Sequence, residues 1–149
     1  MSKKARSEAA RVASLIRANK AEYYIADIEL DDSTEIVATV ELVNKTLGKW
    51  KCAFMLIYAN ATSLTTAVYV PSEFQHKIDM NDWQDAIESV NPGQYAIWSD
   101  RSVRELKSDD AFKLKDAVRA VGFKYLKDRG CLGEDDSSDD FTLNNLDDL

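Results

Sequence analysis

Eight consecutive residues, Cys52-Ala53-Phe54-Met55-Leu56-Ile57-Tyr58-Ala59, carry no charge, and their only polar groups are a thiol and a phenol. The run is far short of the ~20 residues needed to cross a bilayer. Apolar character that is continuous, not alternating, marks a central strand covered on both faces. A sheet built around residues 50–59 is therefore the first expectation, and the neighbouring segments are read against it.

Ahead of this strand, Tyr24, Ala26, Ile28 and Leu30 alternate with Ile25, Asp27 and Glu29, and Ile36, Ala38, Val40 and Leu42 alternate with Glu35, Val37, Thr39 and Glu41. Two half-buried strands joined through Asp31-Asp32-Ser33 are expected. Leu64 to Val70, rich in β-branched residues and closed by Pro71, supplies a fourth strand. Before them, Ala9, Val12, Ala13 and Ile16 recur at helical spacing after a Ser2 cap. After them, a helix capped by Asp79 or Asn81 carries Trp83, Ala86, Ile87 and Val90 and ends at Asn91-Pro92-Gly93. Tyr95 to Trp98 adds a short strand. A last helix runs from Ser108-Asp109-Asp110 through Leu114, Ala117, Val118, Val121 and Tyr125 to Gly130. The fold class expected is α+β, in the order α-β-β-β-β-α-(β)-α. It is an antiparallel four- to five-stranded meander with the N-terminal helix and two C-terminal helices packed on one face.

The net charge of −7 is unevenly spread. Residues 1–20 hold six bases and one acid, residues 21–100 four bases and 13 acids, and residues 101–133 nine bases and five acids. The first 133 residues are therefore neutral as a whole, and the entire excess lies in Glu134, Asp135, Asp136, Asp139, Asp140, Asp147 and Asp148. A block of like charge cannot bury itself, so residues 1–133 are expected to be the domain and 134–149 a disordered acidic tail.

Catalytic chemistry is hard to place. Phosphate-cradling, zinc-protease and nucleophile-elbow motifs are missing, and five glycines leave little material for a phosphate loop. His76, the only histidine, falls in a solvated connection. The acid pairs Asp27/Glu29, Asp31/Asp32 and Asp82/Asp85 each have a local explanation as strand surface, turn or first helical turn. Cys52 and Cys131 lack metal-ligand spacing, and no export signal precedes them, so two reduced thiols in a cytoplasmic protein are expected. Asn44-Lys45-Thr46 and Asn60-Ala61-Thr62 then read as turns and not as glycan acceptors. The expectation is a non-enzymatic protein with no cofactor, no metal and no membrane contact.

Three features point to binding. Lys3, Lys4, Arg6, Arg11 and Arg17 give the first helix a basic face able to meet phosphates. Tyr23, Trp50, Tyr58 and Tyr69 fall in expected strands, and Lys49, Trp50 and Lys51 combine a ring with flanking charge, as a platform for unpaired bases requires. Asp27, Glu29, Glu35 and Glu41 would repel a phosphate backbone and confine such a platform to part of the sheet. In the tail, Phe141, Leu143, Leu146 and Leu149 are spaced among acids that include Asp147 and Asp148. That pattern suits docking into a partner protein's apolar pocket rimmed with bases, or competition with nucleic acid for the domain's basic surface. Ser137 and Ser138 lie among these acids as phosphorylation candidates.

An acidic tail with terminal hydrophobics resembles the tails of bacterial and phage single-stranded DNA-binding proteins, and Asn144-Asn145-Leu146-Asp147-Asp148-Leu149 is similar in style to those of T4-type phages. The resemblance covers the tail alone. It implies recruitment of replication and repair partners and restraint of the DNA site. Lys77-Ile78-Asp79-Met80-Asn81-Asp82-Trp83 is also similar to the strand-to-helix junction of transcriptional coactivators that bind single strands. Two function classes stand side by side: a single-stranded nucleic-acid-binding protein whose tail recruits partners, and an adaptor or regulator whose tail docks a basic partner while the domain serves as scaffold or dimer unit.

Overall fold

The structure is a computed structural model that describes residues 1–131 apart from Pro92 and Gln94. Helix α1 (Lys3–Ala18) leads into strand β1 (Tyr23–Ile28), helix α2 (Ile36–Leu47) and strands β2 (Ala53–Ala59) and β3 (Ser63–Tyr69). Helix α3 (Met80–Glu88), the hairpin β4 (Tyr95–Trp98) and β5 (Val103–Lys107), and helix α4 (Ala111–Asp128) complete the order. The five strands form one sheet in the order β1-β2-β3-β5-β4. β1 runs parallel to β2, and every other neighbouring pair is antiparallel.

The fold is α+β, but it is not a purely antiparallel meander. Residues 36–47, expected as a strand, form α2, and β1-α2-β2 is a crossover that makes two strands parallel. Ile36, Thr39, Val43 and Leu47 are all buried at helical spacing. The β-branched residues that suggested alternation serve a helix because tertiary burial overrides their weak intrinsic preference. Asp32, whose carboxylate accepts the Thr34 amide at 2.8 Å, starts the turn into this helix, and Gly48 at φ 62° ends it. Asn44-Lys45-Thr46 thus lies in a helix, whereas Asn60 does make a turn, its Oδ1 accepting the amides of Thr62 and Ser63. Strand β5 was not anticipated.

The helices cover both faces of the sheet, not one. Phe54, Leu56 and Tyr58 of β2 pack with Ala26, Ile28, Ala67 and Val103 under α1 and α2. Met55 and Ile57 point the other way, with Ile25, Leu64 and Val68, under Trp83 and Ile87 of α3 and Val118 and Leu126 of α4. The continuous apolar run is explained by this arrangement, since alternate residues of β2 feed two separate cores. Phe54, Met55, Leu56 and Ile57 are fully buried, and burying four such side chains contributes roughly 6–12 kcal/mol as an upper bound. At Gly122 of α4, a Cβ would stand 2.8 Å from Ile25 Cδ1, so the helix approaches β1 as closely as glycine allows.

Among the described residues, no helix is long and apolar enough to cross a membrane.

Candidate nucleic-acid interface

Helices α1, α2 and α4 all end at the side of the sheet where β1 and β2 begin. Their C-terminal carbonyls give that end partial negative charge, and the sequence answers with bases. Arg17, in the last turn of α1, donates to the Thr46 and Leu47 carbonyls of α2 at 2.7 and 3.0 Å. Trp50 follows directly. Its amide donates to Leu47 O at 3.1 Å, and its indole Nε1 donates to Ala21 O at 2.7 Å. The ring is thereby pinned across the turn between α1 and β1, yet remains 37% exposed.

Lys20, Lys49 and Lys51 are the sequence neighbours of these two contact points, and Lys45 occupies the last turn of α2; all four are exposed. None has a side-chain hydrogen bond or ion pair to another described residue. Lys20 has a further peculiarity. It adopts φ 52° just past the end of α1, a left-handed position that glycine favours. The same kind of position at the ends of α2 and α4 is filled by Gly48 at φ 62° and Gly130 at φ 72°. A lysine stands here at some backbone cost, as Ser99, Asp100 and Arg101 do in the β4–β5 turn.

The remaining expected phosphate contacts lie elsewhere. α1 is about 24 Å long at ~1.5 Å per residue, and Lys3, Lys4, Arg6 and Arg11 sit toward its other end. Lys4 pairs with Asp31 at 3.6 Å, and Arg6 donates to the Met1 carbonyl at 2.7 Å. Lys3 is exposed on the first turn. Arg11 is bound twice, to Glu8 at 2.7 Å and to the Asp27 carbonyl at 2.7 Å. The structure therefore joins Arg17 with Lys49, Trp50 and Lys51 and separates them from the first four. Of the expected strand aromatics, Tyr58 is buried, Tyr23 is tilted against Phe74, and Tyr69 against Phe54. Lys20 is read from the sequence as part of the basic ridge of the first helix, and Lys45 as part of the turn with Lys49 and Lys51; their meeting around Trp50 is not expected from the sequence. The helix stops at Asn19 and Leu47-Gly48 mark where α1 and α2 end, but not that the two ends meet at Trp50. The tail residues Phe141, Leu143, Leu146, Asp147, Asp148 and Leu149 lie outside the described residues.

The opposite end of β1 carries paired acids and bases. Glu8, Arg11, Asp27, Ile28, Glu29 and Lys115 line an open cleft of about 270 Å³, with Arg119 in an ion pair to Asp27. Burial pushes the Glu8 carboxyl up, but hydrogen bonds from Arg11 and the Glu29 amide, with the charges of Arg11 and Lys4, outweigh it and hold the group below the usual carboxylate range. The two contacts from α1, Arg11 to Asp27 O and Glu8 to Glu29 N at 2.7 Å, close off outward-facing backbone groups of an edge strand. The cleft therefore reads as edge protection. The start of α2, where the loop after a first parallel strand often receives phosphate, is acidic here. Glu35 accepts the Ser2 amide at 2.6 Å and Glu105 the Ser33 hydroxyl at 3.3 Å.

His76 is exposed in the loop before α3. Among the described residues, no group of three His, Cys, Asp or Glu side chains is placed to hold a metal ion. No family model matches the chain, and no curated protein matches it.

The described chain leaves α4 at the same basic end. Cys131, the last described residue, lies beside Tyr23, two residues from the Ala21 carbonyl that holds Trp50. Burial, together with this thiol, pushes the Tyr23 phenol up to about 12.

Proposed function

We propose that this protein is a non-enzymatic binder of single-stranded nucleic acid, with Trp50 as the stacking ring and Lys20, Lys49, Lys51 and Lys45 as its phosphate contacts. One observation carries the reading: a tryptophan fixed by its own indole hydrogen bond, 37% exposed, and bordered by lysines with no side-chain partner among the described residues. A fixed ring stacks a base without first losing side-chain freedom, and base stacking on an aromatic contributes about 1–3 kcal/mol with little sequence preference. Lysines at helix ends also serve the helix dipoles, a purely structural use. That use does not account for leaving a large ring in water.

The acidic tail enters as a competitor. Residues 134–149 follow Cys131, the last described residue, which lies at the basic end. Its spaced apolar residues suit a protein partner that draws the tail away.

The test is polarisation binding of a labelled oligonucleotide at several salt concentrations, for the full chain and for a truncation after Gly133. Both cores are built from residues within 1–131, so the truncation leaves them whole. Salt-sensitive binding that strengthens on truncation is expected. A truncated protein without salt-sensitive binding would refute the reading.

A further inference from the structure

We propose that the free edge of β4 pairs with β4 of a second copy of this chain, so that two sheets join antiparallel across a two-fold axis. The register of the sheet decides which backbone groups are on offer. Val68 N donates to Ser102 O at 3.0 Å and Ser108 N to Thr62 O at 2.8 Å, so Ser102, Arg104, Leu106 and Ser108 turn their amides and carbonyls toward β3. Val103 and Glu105 therefore turn theirs toward β4, where they meet Trp98 and Ala96. The outer side of β4 is left with the amides and carbonyls of Tyr95 and Ile97, and none of these has a hydrogen-bond partner among the described residues.

The two edges of the sheet differ. On β1, helix α1 occupies outward groups through Arg11 to Asp27 O and Glu8 to Glu29 N. On β4 the devices that keep edge strands apart, a lysine, an inward charge or a proline within the strand, are missing from Tyr95-Ala96-Ile97-Trp98. From Val90 to Ser99 the chain carries no charge, although 30% of its residues are charged. Such a strand meets its own copy without repulsion. The acidic tail would find only Arg101 of the β4–β5 turn free there, because Arg104 is buried against Asp85 and Glu88 and Lys107 pairs with Glu105. Placing Ala96 opposite Ala96 of the second copy sets each Tyr95 against an Ile97, which gives two reciprocal pairs of backbone hydrogen bonds. Tyr95 and Ile97 lie opposite Leu106 and Arg104, on the α3 face. The Ile97 side chain, 50% exposed in the single chain, is then covered by the tyrosine ring of the other copy, an aromatic and β-branched pair that suits neighbouring strands.

So short a strand makes a small interface, and hence a weak dimer that depends on concentration. The experiment is sedimentation equilibrium from about 1 μM to about 1 mM at physiological salt, on the full chain, the Gly133 truncation, and full-length Ile97→Lys and Ile97→Pro. Lysine puts a charge on the edge. Proline removes only an outward amide and spares the ladder to β5, so both variants should keep the native far-UV circular dichroism. The full chain should pass reversibly from monomer to dimer mass, and each variant should raise the dissociation constant by at least about tenfold. A full chain that stays monomeric throughout, or variants that dimerise as well as the native chain, would overturn the proposal. A truncation that dimerises while the full chain does not would overturn it in favour of the tail as occupant of the edge.

Discussion

Thr66 and Gln84 hold each other by a reciprocal pair of hydrogen bonds inside the protein. The Thr66 hydroxyl donates to Gln84 Oε1 at 2.7 Å, and Gln84 Nε2 donates back to the Thr66 carbonyl at 3.1 Å. The same amide group also donates to Ser102 O at 2.8 Å, so one buried side chain of α3 ties together β3 and the turn of the β4–β5 hairpin. Gln84→Ala removes these bonds and leaves the buried Thr66 hydroxyl to find another partner, while Ser102 O keeps the Val68 amide at 3.0 Å. A loss of about 2–4 kcal/mol is expected in urea unfolding. Gln84→Glu should cost at least as much at neutral pH, because it replaces the donor with a buried charge.

Arg104 stands next in the same interior layer, its side chain 2% exposed, paired with Asp85 and Glu88 from α3. Both carboxylates reach water, Asp85 at 66% exposure, so they rehydrate when the guanidinium is removed. The expected cost of Arg104→Ala is therefore near the lower limit for a broken buried pair, about 3 kcal/mol. Arg104→Met, which fills the space, should lose less. Equal losses for the two would place the whole effect in charge and none in packing.

Glu8 gives a pH signature. Its carboxyl is held below the ordinary value of 4.5 in the folded state, so its contribution is full above that value and is lost as pH falls through the lower, folded value. Glu8→Gln should be less stable than the native chain at pH 7, and the difference should close as pH drops below 4. Paired denaturant titrations between about pH 3 and 7 measure it. A gap that stays constant over that range would show that the Arg11 and Glu29 contacts do not depend on the charge.

Cys52 is buried and its thiol is pushed up by that burial, while Cys131 is partly exposed. Alkylation followed by mass spectrometry should label Cys131 in the native protein and Cys52 only after unfolding.

Lys20 links stability to binding. Lys20→Gly relieves a left-handed lysine and should stabilise the fold by about 0.5–1 kcal/mol, yet it deletes one proposed phosphate contact. Chemical denaturation and oligonucleotide titration of the same variant should therefore move in opposite directions.

Much of this was legible in the sequence. Ser2, whose hydroxyl accepts the Ala5 amide at 3.1 Å, starts α1 as its residue type requires, and Asp79 caps α3 in the same way through Asp82 N at 3.0 Å. The apolar run of β2 announced a strand covered on both sides. Placing every helix on one face was inconsistent with it. That error followed from residues 36–42, where β-branched residues satisfy a period of two and a helical period equally well over so short a stretch. Only Leu47 and Gly48, beyond the window, break the tie. β5 escaped notice because Arg104 interrupts its apolar pattern, and the acids that neutralise that arginine come from α3. Of the candidate site, Lys49-Trp50-Lys51 was visible as a local cluster. Its union with Lys20, and its separation from Lys3, Lys4, Arg6 and Arg11, depend on where α1 ends relative to α2 and could not be read from spacing.

The most direct test of the Trp50 site is a polarisation titration of a labelled oligonucleotide against the native chain, Trp50→Ala, and a Lys3→Ala/Arg6→Ala double variant, all truncated after Gly133 and at low salt. Trp50→Ala should weaken binding by about 5- to 150-fold, the equivalent of one lost base stack. The double variant, altered at the far end of α1, should bind within about twofold of the native chain. Native-like affinity in Trp50→Ala, or a larger loss in the Lys3/Arg6 variant, would contradict the account.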